Sequence, residues 1–345
     1  MAAFLVMRIL IATDAWKPQI NGVVRVFETT AHNLRDAGHV VEIIGPDRFP
    51  FTLPAPSYPE VRLALPSAKR LGRMIEDFAP DAIHVPVEGP IGLATRRWCA
   101  KRGIPFTTSF HTRFGDYFEA RLGLDRRHFY RMQRWFHDAG AGFMVQTDSL
   151  ERQLGQYGFR RIRRWGRAVD TSAFRPWRDD PDFDPDFLKL PRPIFAYVGR
   201  VAKEKNLEAF FRLNLPGTKL VVGDGPSLAD YRKAWPAVHF TGYRHGEDLA
   251  RHFSAADVFV LPSRFETFGL VVLEALACGT PVAAFPVPGP MDIVGSHPEV
   301  GVLSEDLASA ALAALDLDRA ACRAFAEGFS WAECSRQFAQ NLVPI

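Results

Sequence analysis

Short apolar runs alternate with helical patterns along most of this chain. In the first half, such runs predict strands at residues 8–13, 40–44, 61–65, 81–85, 104–109 and 142–146. Between them, apolar residues recur at helical spacing, as in residues 67–78 and 89–101. Strands that alternate with helices are typical of a parallel sheet, so we expect an α/β domain here.

The alternation stops at residues 171–193 and then resumes. The sequence FRPWRDDPDFDPDFLKLPRP is rich in proline and acidic residues. Its apolar residues follow neither the period of a helix nor that of a strand, so it predicts a linker. Beyond it, apolar runs predict strands at residues 194–198, 219–222, 238–241, 257–261 and 281–284. We therefore expect a second parallel sheet and two domains, residues 1–172 and 173–328.

The end of the chain, residues 329–345, predicts one more helix. Trp331, Cys334, Phe338 and Leu342 fall on one face of it. An apolar face of this size needs a partner that buries it.

Length and composition fit this organisation. With 345 residues, 47% of them hydrophobic and 23% charged, the chain is long enough for two cores. Its four cysteines, Cys99, Cys278, Cys322 and Cys334, lack disulfide or zinc-ligand spacing, which fits a reducing cytosol. Residues 1–14 are interpreted as the first strand and not as a signal peptide. No apolar run approaches the roughly 20 residues of a membrane span, so any membrane contact is expected to be peripheral.

The formal net charge of +3 hides an asymmetry. Residues 92–167 hold sixteen Lys or Arg and six Asp or Glu, so this segment carries +10 and the rest of the chain −7. We expect a basic surface on the first domain.

Two cations follow the first strand of the second half. Arg200 and Lys205 lie in the sequence GRVAKEKN, directly after residues 194–198. At the carboxyl end of a strand, such side chains stabilise the charge that a leaving diphosphate gains when a sugar–phosphate bond breaks. The alternative is a solvated basic loop. The turn VGDGP, at residues 222–226, lets backbone approach a ligand, but alone it is only a turn.

Two glutamates, Glu266 and Glu274, stand eight positions apart after the strand at residues 257–261. The pattern places Glu266 in a loop and Glu274 on the helix that follows. The N–H groups that open this helix would bind an anion; they belong to Phe268, Gly269 and Leu270. The alternative is a pair of surface glutamates in caps or salt bridges.

Together these features resemble glycosyltransferase family 4, retaining enzymes of the GT-B architecture, whose Glu-x7-Glu motif is here Glu266-TFGLVVL-Glu274. The resemblance covers almost the whole chain. It implies two Rossmann-like domains with parallel sheets facing across a cleft, and a last helix that crosses back to the first domain. It also implies that Arg200 and Lys205 bind the donor diphosphate, Glu274 the ribose and Glu266 the sugar, while the backbone at residues 268–270 holds phosphate and sugar.

Shorter segments of the first domain agree with this resemblance. PQINGV, at residues 18–23, is similar to the loop whose glycine, here Gly22, meets the donor phosphates. SFHTRF, at residues 109–114, is similar to the active-site histidine segment, which implies that His111 contacts the donor sugar near the reacting carbon. WGRAVD, at residues 165–170, is similar to a Gly-Val-Asp element, but Ala168 replaces the glycine and puts the local backbone conformation in question. In the second domain, Tyr243 is expected beside the base.

No metal or other cofactor is expected. The aspartates of the linker repeat D-x-D, which in another glycosyltransferase fold holds a metal-bound diphosphate; they are Asp180, Asp182, Asp184 and Asp186. That motif should end an apolar strand, whereas these residues stand among prolines, so we interpret them as a solvated charge run. Arg200 and Lys205 supply the positive charge instead.

The acceptor side depends on a basic amphipathic stretch, DRRHFYRMQRWFHD, at residues 125–138. Helical spacing predicts two opposite faces, one with Arg127, Arg131 and Arg134 and the other with Phe129, Met132 and Phe136. With Trp135 and the basic residues of 160–167, this helix is expected to attract anionic lipid headgroups, at about 1 kcal/mol per basic residue. The alternative is an ordinary core-packed helix with a charged exterior.

NGVVR and SFHTRF are most similar to the lipid-glycosylating branch of the family, which includes sulfoquinovosyl, mannosyl and glucosyl or glucuronosyl diacylglycerol synthases. We therefore expect a hexosyltransferase that moves a hexose or uronic acid from a nucleotide sugar to a membrane lipid such as diacylglycerol, with a UDP-sugar favoured over GDP-mannose. It would act on the cytoplasmic face of the inner membrane and bind no nucleic acid. The alternatives are a soluble transferase to a saccharide or small molecule, a GT-B epimerase and a non-catalytic nucleotide-sugar binding protein.

Overall fold

The computed structural model describes residues 6–19, 22–55, 58–111, 115, 119, 125–184, 186–264 and 269–345. The chain divides into two compact units. Unit 1 comprises Met1–Gly166 and Trp331–Ile345, and unit 2 comprises Arg167–Ser330. This division lies six residues before the expected one, and the last helix belongs to unit 1.

Unit 1 is built on a parallel sheet of six strands in the order β2-β1-β5-β6-β7-β8. Its strands are β1 (Arg8–Ala12), β2 (Val40–Ile44), β3 (Thr52–Ala55), β4 (Tyr58–Ala64), β5 (Ala82–Val85), β6 (Thr107–Ser109), β7 (Gly142–Val145) and β8 (Ile162–Arg164). Its helices are α1 (Gly22–Asp36), α2 (Ala68–Phe78), α3 (Pro90–Arg102), α4 (Arg126–His137), α5 (Asp148–Gln156) and α13 (Trp331–Asn341).

The predicted strand at residues 61–65 does not join this sheet, and its place in a parallel sheet is a wrong prediction. It belongs to β4, which pairs with β3 as an antiparallel hairpin. Only two residues separate β3 from β4. Parallel pairing needs a crossover of a dozen or more residues, so this short connection allows only the antiparallel arrangement.

Helix α13 packs inside unit 1, which accounts for its apolar face. Phe338 is fully buried, and its ring centroid lies 5.0 Å from that of Trp165 and 6.3 Å from that of Phe27 on α1. The side chain of Gln337 accepts a hydrogen bond from the backbone N–H of Gly166 at 3.0 Å. The end of the chain therefore completes the core of unit 1.

Unit 2 carries a second parallel sheet, in the order β11-β10-β9-β12-β13-β14. Its strands are β9 (Ile194–Val198), β10 (Thr218–Val222), β11 (His239–Gly242), β12 (Val258–Leu261), β13 (Val282–Ala284) and β14 (Gly301–Leu303). Its helices are α6 (Leu207–Phe211), α7 (Leu228–Ala234), α8 (Gly246–Ala255), α9 (Leu270–Ala277), α10 (Pro288–Val294), α11 (Leu307–Ala313) and α12 (Arg319–Glu327). Every residue of β9 and β12 is buried, as expected for strands covered on both faces.

Residues 171–193, predicted as a linker, form part of unit 2 instead. Phe174 is buried in the unit 2 core. The carboxylate of Asp257, directly before β12, accepts hydrogen bonds from Arg178 at 3.2 Å and from the backbone N–H of Ile194 at 2.7 Å. Isolated apolar side chains and ion pairs hold this segment on unit 2, in place of an α-helix or a strand. Its sequence therefore shows neither the helical nor the strand period.

The strand order reverses once in each sheet, between β1 and β5 in unit 1 and between β9 and β12 in unit 2. In open α/β sheets, ligands bind outside the carboxyl ends of the strands at this switch point. The loops after these four strands are therefore the first place to look for a site in each unit.

Candidate active site

In unit 2, the loops after β9 and β12 form the switch point. The loop after β9 carries Arg200 and Lys205, both half-buried. Asn206 ends this loop in the left-handed conformation, and its Nδ2 donates a hydrogen bond to the carbonyl oxygen of Pro262 at 3.0 Å. Both predicted cations thus stand on a loop that is tied to the loop after β12.

The turn after β10 packs against the same loop, backbone to backbone. The N–H of Gly199 donates to the carbonyl oxygen of Val222 at 3.0 Å. Gly223 has a φ of +146°, and a Cβ there would lie 1.9 Å from the carbonyl oxygen of Gly199. Glycine is required at position 223 because no side chain fits beside the loop that carries Arg200.

Helix α9 also begins at the switch point. Gly269 is its N-cap, with a left-handed φ of +70°, and Leu270 is its first residue. Glu274 lies one turn further and is only 3% exposed. Glu274 is therefore not a surface residue. Glu266 and Phe268 lie outside the described residues.

Tyr243 follows β11, the edge strand of the unit 2 sheet. Its side chain is 55% exposed, and its ring stacks on that of His245 with centroids 5.9 Å apart. Two exposed, parallel rings offer a flat surface on which a base could stack. The expected contact between Tyr243 and the base stays a prediction.

In unit 1, Gly22 is the first residue of the 15-residue helix α1 and is exposed. A Cβ at this position would meet no atom within 4 Å. The described residues of unit 1 therefore give no steric reason for a glycine here. Its neighbour Asn21 lies outside the described residues.

His111 follows β6 and is half-buried. Its Nε2 lies 2.7 Å from the Oγ of Ser109, and its ring meets that of Phe27 edge-on at 5.2 Å. Burial lowers the pKa of His111 to about 4, although the negative charge of Glu88 opposes this shift. The imidazole is therefore neutral at physiological pH and can hydrogen-bond to a sugar hydroxyl without adding charge.

A half-buried carboxylate follows β5, at the switch point of unit 1. One oxygen of Glu88 accepts hydrogen bonds from Gln133 at 2.8 Å and His137 at 3.2 Å, both on α4. Burial raises the pKa of Glu88, but these hydrogen bonds outweigh burial and the pKa is lowered overall. We call Glu88, Gln133 and His137 the Glu88 cluster. A carboxylate held in this way can bind a hydroxyl group.

Asp14 joins the two sides of the same switch point. Its carboxylate, two residues after β1, accepts hydrogen bonds from the backbone N–H groups of Ile91 at 2.9 Å and Gly92 at 3.0 Å, at the start of α3. Burial raises the pKa of Asp14 to about 6, against the effect of these hydrogen bonds. Asp14 therefore positions α3 relative to the loop after β1.

Neither Asp14 nor Glu88 is predicted from the sequence. An acidic residue directly after a strand, as in the run IATD, is the one signal that points to Asp14. Glu88 stands in the turn-like run VPVEGP, and its partners lie 45 and 49 residues further along the chain. The periodicity of the sequence does not indicate contacts between residues that are this far apart in the chain.

The buried face of α4 differs from the predicted one. Tyr130, Gln133 and Phe136 are buried, whereas Met132 is 56% exposed. Met132, predicted on the same face as Phe129 and Phe136, does not share the burial of Phe136, because Gln133 and His137 turn toward Glu88 and rotate the buried face by one residue.

The exposed face of α4 combines basic and apolar side chains. Arg127 and Arg131 are exposed beside Met132, and Trp135 is 51% exposed. The guanidinium of Arg96 lies 3.8 Å from the centroid of the Trp135 ring. An open groove of about 510 Å³ adjoins them, lined by Arg96, Arg131, Arg134, Trp135, Asp138 and Ala139.

Arg134 is less available than its two neighbours. It is half-buried, donates to the carbonyl oxygen of Tyr157 at 3.2 Å and lies 3.8 Å from the carboxylate of Asp138. We call the surface formed by Arg96, Arg127, Arg131, Met132 and Trp135 the α4 surface.

Ala168, where the resemblance leads one to expect glycine, is fully buried. It is not among the described residues with a positive φ, so its backbone accommodates a side chain. The preceding Arg167 is also buried and lies 3.7 Å from the carboxylate of Asp292.

Among the described residues, no group of three or more His, Cys, Asp or Glu side chains has a metal-binding arrangement. No helix in the described ranges is both long and apolar enough to cross a membrane. All four cysteines are buried and free. Asp180, from the D-x-D run, pairs with Arg175 at 2.7 Å.

Two family models match this chain. Residues 20–173 match the model "Glycosyltransferase Family 4", and residues 192–317 match "Glycosyl transferases group 1". The two matches are separated by residues 174–191, which follow the boundary between unit 1 and unit 2.

Curated relatives cover most of the chain. A GDP-mannose-dependent alpha-mannosyltransferase of Mycobacterium tuberculosis is 28% identical, over 84% of this chain and 82% of its own. A sulfoquinovosyl transferase of Arabidopsis thaliana is 29% identical, over 79% of this chain and 54% of its own. An alpha-monoglucosyldiacylglycerol synthase of Streptococcus pneumoniae is 27% identical, over 90% and 78%.

Solved structures share the fold at lower identity. Sucrose-phosphate synthase from Thermosynechococcus elongatus superposes with a TM-score of 0.76 and 20% identity, over 96% of this chain and 97% of its own. The Anabaena protein HepE, crystallised with UDP and glucose, superposes with a TM-score of 0.70 and 16% identity, over 97% and 98%. The two parallel-sheet units thus have the GT-B architecture that the sequence predicts.

Proposed function

Because this chain belongs to glycosyltransferase family 4, we propose that it is a retaining hexosyltransferase that moves a hexose or uronic acid from a nucleoside diphosphate sugar to a membrane lipid such as diacylglycerol. One observation carries the lipid part of this proposal. It is the α4 surface, where exposed Met132 and Trp135 stand among arginines.

The donor site is proposed at the switch point of unit 2. Arg200 and Lys205 would neutralise the diphosphate, and the first N–H groups of α9 would hold phosphate and sugar. Glu274 would accept hydrogen bonds from the ribose hydroxyls, and its burial makes each of these bonds stronger than it would be in water. Tyr243 would lie beside the base. We propose that Glu266 holds hydroxyl groups of the transferred sugar.

The chemical step follows from this donor. An acceptor oxygen forms a bond to the anomeric carbon on the face from which the diphosphate departs, and the carbon–diphosphate bond breaks. An oxygen of the departing diphosphate takes the hydroxyl proton, so no external base is consumed. The configuration of the donor is retained. The cations of unit 2 stabilise the charge on the leaving group, so we propose that no metal ion is required.

The identity of the base is the point on which sequence and relatives differ. We expected a UDP-sugar, whereas the mannosyltransferase of M. tuberculosis is named for GDP-mannose. HepE was crystallised with UDP and glucose. Both classes of donor therefore have to be tested.

Thermal unfolding with a panel of UDP- and GDP-sugars separates these donors, because a ligand stabilises by RT ln(1 + [L]/Kd), about 2.7 kcal/mol at a hundredfold excess over Kd. We expect one class to raise the melting temperature of the wild type. Arg200→Ala and Lys205→Ala should lose this stabilisation, and Arg212→Ala, an exposed arginine on the same unit, should retain it. Equal stabilisation of all four proteins would contradict the donor site.

The lipid acceptor is tested by vesicle binding. Surface attraction between charges is screened within about 10 Å at 0.1 M salt. We therefore expect the protein to bind vesicles that contain anionic lipid, to bind neutral vesicles weakly, and to dissociate as salt rises. Failure to bind anionic vesicles at low salt would favour the alternative of a saccharide or small-molecule acceptor.

Donor incubated without any acceptor separates the third possibility. An epimerase would convert the sugar of the donor, and a transferase would leave its configuration unchanged apart from slow hydrolysis. We expect no epimerised sugar.

A further inference from the structure

A continuous line of hydrogen bonds runs through the buried side of unit 1 and ends at His111. Thr107 Oγ1 lies 2.9 Å from Nδ1 of His84, and Ser109 Oγ lies 2.9 Å from Nε2 of the same ring. Ser109 Oγ also lies 2.7 Å from Nε2 of His111. At its other end, Thr107 Oγ1 donates to the carbonyl oxygen of Ile83 at 3.3 Å. We call these four side chains the His84 chain.

The strand register explains this alignment. His84 on β5 is the direct neighbour of Thr107 on β6. Side chains alternate between the two faces of a strand, so Thr107 and Ser109 share one face and Thr108 points to the other. One ring from β5 therefore reaches both hydroxyl groups of β6.

The direction of the hydrogen bonds follows from the carbonyl group at the end. A carbonyl oxygen only accepts, so the single hydroxyl proton of Thr107 points to Ile83. Thr107 Oγ1 must then accept from Nδ1–H of His84. The opposite direction would leave two acceptors facing each other at 3.3 Å.

The ring of His84 sets the direction of the next hydrogen bond. His84 is fully buried against aromatic rings, with Phe338 at 4.9 Å and Phe27 at 5.7 Å, and no described carboxylate hydrogen-bonds to it. It is therefore neutral, and its Nε2 carries no proton and accepts from the hydroxyl of Ser109. Because the hydroxyl proton of Ser109 is used in the hydrogen bond to His84, the Oγ of Ser109 must accept from Nε2–H of His111.

We infer that His84 and Ser109 are positioning residues that fix His111 as the tautomer protonated on Nε2, with the lone pair of Nδ1 available as an acceptor. Nδ1 makes no hydrogen bond to any described residue. This inference depends on the proposed function, in which His111 meets the donor sugar. It deepens that proposal by predicting that His111 accepts a hydrogen bond from a sugar hydroxyl and does not donate one.

The surroundings keep His111 neutral. The titratable groups that act on it are Glu88, after β5, and His137 on α4. Burial disfavours the imidazolium form, and the charge of Glu88 is already engaged by His137 and Gln133. An imidazolium would donate from both nitrogens and could not accept from the sugar.

Nitrogen NMR of the histidine rings measures this arrangement directly, without substrate. The protein is labelled with ¹⁵N-histidine, and the resonances are assigned with His111→Gln and His84→Gln. We expect opposite tautomers in the wild type at neutral pH, with His111 protonated on Nε2 and His84 protonated on Nδ1. A His111 protonated on Nδ1, or on both nitrogens, would overturn the inference.

Variants then test the link to transfer. Ser109→Ala should give His111 mixed tautomers and lower kcat about tenfold, the effect of one lost hydrogen bond, while KM for the donor changes little. Ser109→Thr keeps the hydroxyl group and should restore both the single tautomer of His111 and the wild-type kcat. Thr108→Val is the matched control, since Thr108 is equally buried on the same strand and its hydroxyl has no described partner.

The outcomes separate this inference from the proposed function. A Ser109→Ala protein with unchanged tautomers or with the wild-type kcat would refute the positioning role. Transfer at the wild-type rate by His111→Ala would instead refute the role of His111 in the proposed function and would leave the measured tautomers unaffected.

Discussion

Glu274 is a buried carboxylate in a helix whose other residues are apolar. Its neighbours on the helix are apolar and fully buried: Leu273, Ala275, Leu276 and Ala277. An apolar residue at position 274 would make this buried surface continuous. Burying a charge in such surroundings is costly. The proposed contact with ribose would account for a carboxylate at this position.

Glu274→Gln tests this trade between stability and binding. The amide keeps the shape and removes the charge, so we expect the melting temperature to stay the same or rise. Hydrogen bonds to charged groups contribute about 1.5–3 kcal/mol, so donor affinity should fall about tenfold to a hundredfold. Calorimetric titration with the donor, next to thermal unfolding, measures both. Unchanged affinity would refute the proposed contact with ribose.

His111 makes stability depend on pH in a defined direction. Its pKa is about 4 in the folded state, against about 6.5 in an unfolded chain. Between these values the unfolded chain binds a proton that the folded protein does not, so the free energy of unfolding falls as the pH falls. The slope is about 1.4 kcal/mol per pH unit, and it ends below pH 4. The lowered pKa of His84 acts in the same direction.

Asp14 acts in the opposite direction, because its raised pKa lets the folded state take up a proton near pH 6. The contribution of His111 therefore has to be isolated by a difference. We expect the urea midpoint of the wild type to fall more between pH 7 and pH 5 than that of His111→Gln. Parallel pH curves for the two proteins would contradict the assigned pKa.

Gly223→Ala should disturb the loop that carries Arg200. The new Cβ would lie 1.9 Å from a backbone oxygen, at a φ of +146° that side chains rarely adopt. We expect a loss of about 1–3 kcal/mol of stability together with weaker donor binding. Gly155→Ala is the control, because its Cβ would meet nothing within 4 Å, and it should be neutral or slightly stabilising. Thermal unfolding and donor titration of both variants check this.

At the scale of elements, α4 carries the proposal of membrane contact. Met132 and Trp135 are large apolar side chains left in solvent beside arginines. A tryptophan whose ring is covered by a guanidinium, as Trp135 is by Arg96, suits an interface between water and lipid headgroups.

Trp135→Ala should therefore weaken binding to anionic vesicles about tenfold to a hundredfold, since a buried aromatic side chain contributes about 1.5–3 kcal/mol. Leu312→Ala, on α11 of unit 2, removes another partly exposed apolar side chain and should leave binding unchanged. Vesicle flotation at low salt compares the two. Equal binding by Trp135→Ala and the wild type would exclude α4 as the membrane surface.

The elements that the sequence predicts best are those with a strong local signal. Five strands of each sheet follow from apolar runs, and β2 and β9 have the bounds that the pattern predicts, whereas the edge strands β8 and β14 are not predicted. The pattern predicts the strand at residues 61–65 but not its partner β3, and it assigns that strand to the wrong sheet because periodicity does not encode strand direction. Residues 171–193 lack a period, yet they pack on unit 2 through contacts such as those of Asp257.

The residues of the candidate site also fall into two groups, those with a local sequence signal and those without one. Arg200, Lys205 and Glu274 stand beside strand ends or on a helix that the sequence already marks, so they could be named in advance. Glu88 and His84 could not, since their partners come from other strands and from α4. The helical pattern also misassigned Met132, because a polar cluster in the interior rotated the buried face of α4.

At the scale of the whole molecule, charge and chemistry divide between the units. The phosphate-binding chemistry proposed for Arg200 and Lys205 belongs to unit 2. The basic segment at residues 92–167, with its charge of +10, belongs almost entirely to unit 1, together with His111 and Glu88. This division is what a transferase needs if one unit binds a soluble donor and the other meets an anionic surface.

Transfer of a labelled sugar to diacylglycerol in anionic vesicles tests the central claim most directly. With the donor selected by thermal unfolding, we expect the wild type to form an extractable glycolipid whose anomeric configuration equals that of the donor. Glu274→Ala and Arg200→Ala should form little of it, and Thr108→Val as much as the wild type. Absence of glycolipid with every UDP- and GDP-sugar, or a product of inverted configuration, would contradict the account.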